Sequence, residues 1–161
     1  MNKASHWIKE ISQHMNNLAG VCIVAVMLLV VSNILLRVLL HRPVLGTYEY
    51  VNMITAVAIG LSLAYCAYQN GHIAVDFIIQ RCSQKIQRTV DIITHIISIS
   101  FWSASAWYVA KYAQTMLDSN TVSPTTQVPL SPVVYLIALG LLALSLVLAL
   151  RLSQSLKRAF R

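Results

Sequence analysis

Four stretches of the chain are apolar at nearly every position, and the polar residues gather between them. The stretches run from about Leu18 to Leu36, Val51 to Tyr68, Ile92 to Val109 and Val133 to Leu150, each 18 or 19 residues long. At 1.5 Å rise per residue that is close to the ~20 residues a helix needs to cross a hydrocarbon core of roughly 30 Å. The pattern therefore predicts an all-α integral membrane protein with four transmembrane helices. The first stretch exceeds the ~7–15 residues of a cleavable signal core, and no small-residue cleavage site follows it. Residues 1–17 are polar, with Trp7, Ile8, Ile11, Met15 and Leu18 at roughly helical spacing, and are expected to form an interfacial lead-in. The first helix is expected to continue past Arg37 to about Leu40.

The second stretch carries the clearest internal design. Ala56, Gly60 and Ala64 recur every four residues, a small-residue stripe that lets another helix approach closely. Tyr48 and Tyr50 at one end and Tyr65 and Tyr68 at the other suit the two aromatic belts of a bilayer. Between the second and third stretches, Ile78, Cys82 and Ile86 share one helical face while Arg81, Lys85 and Arg88 follow another. That spacing predicts an amphipathic interfacial helix over 73–90, its basic face toward anionic headgroups. Third-stretch residues Ser98, Ser100, Ser103 and Ser105 are read first as close-packing positions. A Thr/Ser/Asn/Pro-rich loop, 114–131, follows, and Ser131-Pro132 predicts the N-cap and first position of the fourth helix. The fourth stretch ends in a basic tail, 151–161. The whole is expected to form a single four-helix membrane domain over 1–161.

Composition agrees with this pattern: 57% of the 161 residues are hydrophobic and 11% charged. A net charge of +7 could point to nucleic acid, but its distribution gives it another meaning. Lys3, Lys9, Arg81, Lys85, Arg88, Arg151, Lys157, Arg158 and Arg161 fall on one side of the four crossings; Arg37, Arg42 and Lys111 fall on the other. Nine basic residues against three place both termini in the cytoplasm by the positive-inside rule. Cys22 and Cys66 lie in apolar stretches and Cys82 in a basic connection, so no disulfide framework is implied and core packing is their expected role.

Chemistry is sparse. No ionisable side chain lies in the middle of any apolar stretch, which argues against a self-contained ion-coupled carrier. The four stretches show no inverted repeat, the mark of many stand-alone transporters. There is no zinc-type Cys/His cluster, phosphate loop or nucleophile arrangement, so no enzyme, metal site or cofactor is predicted. His72 and His95 could stand at similar depth as haem ligands, which keeps a haem- or quinone-associated anchor subunit as the alternative. Against this, His72 sits beside polar Gln69 and Asn70, as an ordinary interfacial histidine would.

The most informative stretch runs from Asn33 to Asp76. Asn33 and Arg37 share a helical face. Pro43 and Gly46 mark a sharp turn, Thr47 is the expected N-cap of the second helix, and Glu49 falls in its first turn. The short turn brings Arg37 and Glu49 within reach of a salt bridge that, with Asn33, would clamp this hairpin. Gly71, His72 and Asp76 close the stretch, the last two an i, i+4 pair with a similar anchoring role. The ordered set N-x-x-x-R, R-P-x-x-G-T-x-E and G-H-I-x-V-D resembles the small membrane subunit, DctQ-type, of tripartite ATP-independent periplasmic (TRAP) transporters. The four-helix layout and a Pro-bearing loop (Pro124, Pro129, Pro132) also fit.

The resemblance implies a non-catalytic subunit of the bacterial inner membrane. Its expected partners are a large sodium-coupled elevator subunit and a periplasmic binding protein that delivers an organic acid. Sodium coupling would reside in the large subunit. Asn33, Arg37, Pro43, Gly46, Thr47, Glu49, Gly71, His72 and Asp76 would shape fold and subunit interface rather than bind substrate.

Overall fold

The computed structural model describes residues 3–69 and 83–159. The chain forms α1 (Lys3–Leu40), α2 (Thr47–Tyr68), α3 (Gln84–Asp118) and α4 (Ser131–Ala159). All four are long and apolar enough to cross a membrane. The described residues contain no strand, only an isolated bridge between Val122 and Pro129 in the α3–α4 loop. The expected lead-in is, from Lys3 on, a direct continuation of α1, and α1 ends at the expected Leu40.

Of the predicted interfacial helix, residues 73–82 lie outside the described residues. The part that is described, 84–90, is the first two turns of α3 and runs without a break into the third crossing. A separate amphipathic helix is therefore absent from the described part. Ser83, extended at φ −61° and ψ 149°, is the N-cap at which α3 begins.

The helices pack in a row, α1–α2–α4–α3, and α1 touches α4 only slightly. Helices α2 and α4 occupy the middle; α1 and α3 are the edges. Helix lengths differ accordingly. At 1.5 Å per residue the 22 residues of α2 span about 33 Å, whereas the 38 of α1 and 35 of α3 reach about 57 and 52 Å.

Each edge helix contributes one narrow seam. On α1, Ile8, Ser12, Met15, Ala19, Cys22, Val26, Leu29, Asn33 and Leu36 alternate three and four apart, and all are buried or half-buried. On α3 the same spacing joins Ile92, His95, Ile99, Trp102, Ala106, Val109, Ala113 and Met116. A 3-4 alternation is the signature of knobs-into-holes packing at a shallow crossing angle. Most other described positions of both helices are uncovered: Val21 is 64% and Trp107 73% exposed. The cores lie between the middle helices and these seams. Ala64, Ala67, Leu144, Val147 and Leu148 form one cluster, with Trp102 and Ile99 of α3 packed against it. Met15, Ala19, Ala58 and Leu61 form a second, under α1.

Candidate functional site

The site that sequence reasoning singled out is the turn between α1 and α2 together with the small-residue stripe of α2. Asn33, half-buried near the end of α1, accepts the Val44 N–H on its Oδ1 at 2.8 Å. Pro43 precedes Val44 and has no N–H of its own, so this single bond pins the middle of the turn. Gly46 then takes a left-handed conformation, φ 74°, and is the N-cap of α2, its carbonyl accepting from the Glu49 and Tyr50 N–H groups. The expected N-cap, Thr47, sits one position inside the helix. Its hydroxyl donates backward to the Val44 carbonyl at 2.7 Å, closing the turn instead of capping the helix. Glycine is required at 46 for a second reason: a Cβ there would overlap the Thr126 methyl group.

Glu49 does lie in the first turn of α2, but it does not pair with Arg37. Its carboxylate is enclosed by the α3–α4 loop. The Ser123 and Thr126 hydroxyls and the Thr126 N–H donate to Oε2, and the Thr125 N–H donates to Oε1. The Thr126 N–H and hydroxyl bonds measure 3.0 and 2.8 Å, the Thr125 bond 2.9 Å. Three of these donors converge on Oε2 and one on Oε1, and none comes from Arg37, which is exposed. The physical reason for the correction is local. Successive N–H groups in a loop can converge on one anion, whereas a guanidinium on an exposed helix face would hold Glu49 in water for little gain.

The same loop is braced internally. Ser123 N–H bonds to the Val128 carbonyl, Gln127 N–H to Ser123 and Leu130 N–H to Thr121. Asn120 and Gln127 supply the left-handed turns, φ 48° and 53°. The loop and the first turn of α2 thus form one cap across the ends of the middle helices. Helix α4 starts directly beneath it, with the Val134 N–H bonded to the Leu130 carbonyl. That bond puts the cap at Leu130, one residue before the expected Ser131.

Along the stripe of α2, Gly60 and Ala64 are buried and Ala56 half-buried, and the helix that Gly60 and Ala64 admit is α4 of this same chain. At the crossing a Cβ on Gly140 would overlap the Gly60 carbonyl, and one on Gly60 would come within 3.2 Å of the Ile137 Cα. The stripe is consumed inside the chain. At the opposite end Arg151 Nη2 donates to the Tyr68 carbonyl at 2.6 Å, satisfying an acceptor that the last turn of α2 leaves open. Gly71, His72 and Asp76 lie outside the described residues, so their pairing and the His72–His95 arrangement are not placed. Cys22 is half-buried on the α1 seam, but Cys66 is exposed and takes no part in the core.

Sequence reasoning missed Ser123, Thr125 and Thr126 as the partners of Glu49, Gly140 as the partner of Gly60, and the two 3-4 seams. A carboxylate in a first turn facing an uncharged Ser-Pro-Thr-Thr loop was a usable signal for the first. The seams were hidden because the positions between them are equally apolar. The assembled groups all serve to hold backbone, and their chemistry is structural.

The family model for the DctQ component of tripartite ATP-independent periplasmic transporters matches residues 26–158. Neither a curated relative nor a solved structure matches the chain. The matched region contains the α1–α2 turn, the Gly60–Gly140 crossing and the Glu49 cap, and gives no support to a haem or quinone anchor. The chain belongs to the DctQ family, the small membrane component of the tripartite ATP-independent periplasmic transporters.

Proposed function

We propose that this chain is the scaffold subunit of a sodium-coupled TRAP transporter that takes up an organic acid. A periplasmic binding protein delivers the acid and a large membrane subunit moves it. The observation that carries the reading is the open row of helices: a locked middle pair with two edges that have no protein cover within the chain. A rigid slab of this kind can enlarge the immobile part of a moving partner without itself moving. The family match supplies the kind of partner.

The two edges differ in what they suit. The uncovered face of α3 includes Ser100, Ser103, Ala104 and Trp107, small and hydroxyl-bearing groups that pack and bond against another helix. The uncovered face of α1 is aliphatic, with Val24, Leu28, Val31 and Leu35, and suits acyl chains. The large subunit accordingly covers α3, while α1 faces lipid. Both termini are cytoplasmic, which puts the Glu49 cap in the periplasm, where it offers docking surface to the binding protein.

The test is gentle extraction with a C-terminal tag, followed by identification of what accompanies the chain. A one-to-one polytopic partner, cross-linked through a cysteine at Ser103 and not through one at Val24, is the expected result. A self-associated or haem-coloured complex would overturn it.

A further inference from the structure

We propose that the end of α1 is a binding site for the phosphate headgroup of an anionic phospholipid, held by Arg37, His41 and Arg42. Arg37 lies in the last turn of α1, and His41 and Arg42 follow directly after its end at Leu40. His41 takes a left-handed conformation, φ 51°, and the Arg42 N–H folds back to the Leu36 carbonyl at 3.3 Å, which keeps Arg42 against the last turn. All three side chains are exposed. The carboxylate nearest in sequence, Glu49, is bonded to the α3–α4 loop, and Asp118 ends α3 at the other edge of the row. Among the described residues, then, no carboxylate is ion-paired to the three basic side chains of this corner.

A helix C-terminus attracts cations by its dipole, but that effect asks nothing of the surface beneath. Here the surface beneath is specific. Ile34, Leu35, Val38 and Leu39 are 52–72% exposed, an aliphatic strip leading up to the charged group. Acyl chains along that strip place their phosphodiester at the level of the two guanidinium groups, which can each donate a bidentate pair to it. A partner protein's carboxylates would match the charge without using the strip. The inference rests on the reading that α1 faces lipid, and the chain alone in detergent tests it without the large subunit.

The experiment is native mass spectrometry of the full chain, extracted in neutral detergent and offered equal phosphatidylglycerol and phosphatidylcholine. The expected result is retention of phosphatidylglycerol over phosphatidylcholine by the wild-type chain. An Arg37→Gln/Arg42→Gln double variant should lose that preference by up to roughly thirtyfold, as removal of two interfacial charges implies. Lys111→Gln, an exposed cation on the other edge, should leave it unchanged. Raised salt should erode the wild-type preference as well, a measurement that requires no variant. Equal retention of both lipids by the wild-type chain, or by the wild type and the double variant alike, would overturn the proposal. So would loss of a co-purifying acidic protein from the variant with its lipid preference intact.

Discussion

Gly20 and Gly140 are both helical glycines in apolar surroundings, yet they do opposite things. Gly140 sits where α4 meets α2, and even a methyl group there would strike the Gly60 backbone. Around Gly20, on edge helix α1, nothing lies within 4 Å of the position a Cβ would take. The middle pair is held at backbone distance, whereas the edges rest on single 3-4 seams of side chains. In lipid, where apolar surface alone does not drive helices together, close backbone approach is what makes one contact tighter than another. The difference teaches that a glycine in a membrane helix identifies a contact only when a second helix is present to use it.

The same substitution at the two glycines should therefore have opposite signs, and this is the largest effect expected. Gly140→Ala forces the middle helices apart and should cost about 3 kcal/mol, the upper part of the range for overpacking. Gly60→Ala, which meets the Ile137 Cα at 3.2 Å, should cost about 1 kcal/mol. Gly20→Ala should stabilise the chain slightly, by up to about 1 kcal/mol, because alanine favours a helix and meets nothing. Reversible unfolding in mixed micelles measures all three. A destabilising Gly20→Ala would mean that α1 packs on protein at that face.

A second pair of substitutions sharpens the comparison with side chains of equal size. Leu144, fully buried between α2 and α4, should cost about 3 kcal/mol as Leu144→Ala, through lost contacts and a residual cavity. Leu28, 57% exposed on α1, should cost less than about 0.5 kcal/mol as Leu28→Ala when the chain is alone. Repeating the measurement with the large subunit bound tests the assignment of edges. Leu28→Ala should stay silent, while Trp107→Ala on the α3 edge should weaken the complex.

The cap over the middle pair responds differently, since its lock is polar. In Glu49→Gln one oxygen becomes an NH₂ group that faces N–H and O–H donors, so at least one donor loses its acceptor. Amide hydrogen exchange should accelerate at Thr125 and Thr126 and leave the α1–α2 turn, pinned separately by Asn33, unchanged. Arg37→Gln should leave exchange in that loop as it was, and the two substitutions should be additive. Coupling between them would restore the ion pair that the hairpin spacing had suggested.

How far these features could be read from the chain follows from which signals are local. Four apolar stretches fix four helices, because helix length and bilayer thickness must match. The α1–α2 turn was legible at Pro43, Gly46 and Asn33, whose properties act over a few residues. The partner of Glu49 lies 74 to 77 residues away, and its one signal, an uncharged Ser-Pro-Thr-Thr loop, names no position without the fold that brings it over α2. The stripe Ala56–Gly60–Ala64 announced a close approach but not by which helix; the meeting of Gly60 with Gly140 and Ile137 identifies α4. The basic spacing of 81–88 suggested a separate interfacial helix; of that span only 84–88 is described, as the first turns of α3, and 73–82 of the predicted helix lies outside the described residues.

The smallest expected effect lies inside the cap and tests whether its geometry, rather than Glu49 alone, holds it over the middle helices. Gln127 is exposed, with φ 53°, and its N–H bonds to the Ser123 carbonyl at 3.1 Å, so its backbone is used and its side chain is free of that bond. A glutamine in the left-handed region is strained, whereas glycine is not. Gln127→Gly should relieve that strain, lose part of the gain to the greater freedom of glycine in the unfolded chain, and leave a net stabilisation of about 0.5 kcal/mol. Asn120, at φ 48°, is the internal control: asparagine tolerates this conformation, so Asn120→Gly should change stability little. A Gln127→Gly chain no more stable than Asn120→Gly would show that the loop's own backbone imposes no strain. Its order would then come wholly from the carboxylate beneath it, and the cap would belong mechanically to α2 rather than to the loop.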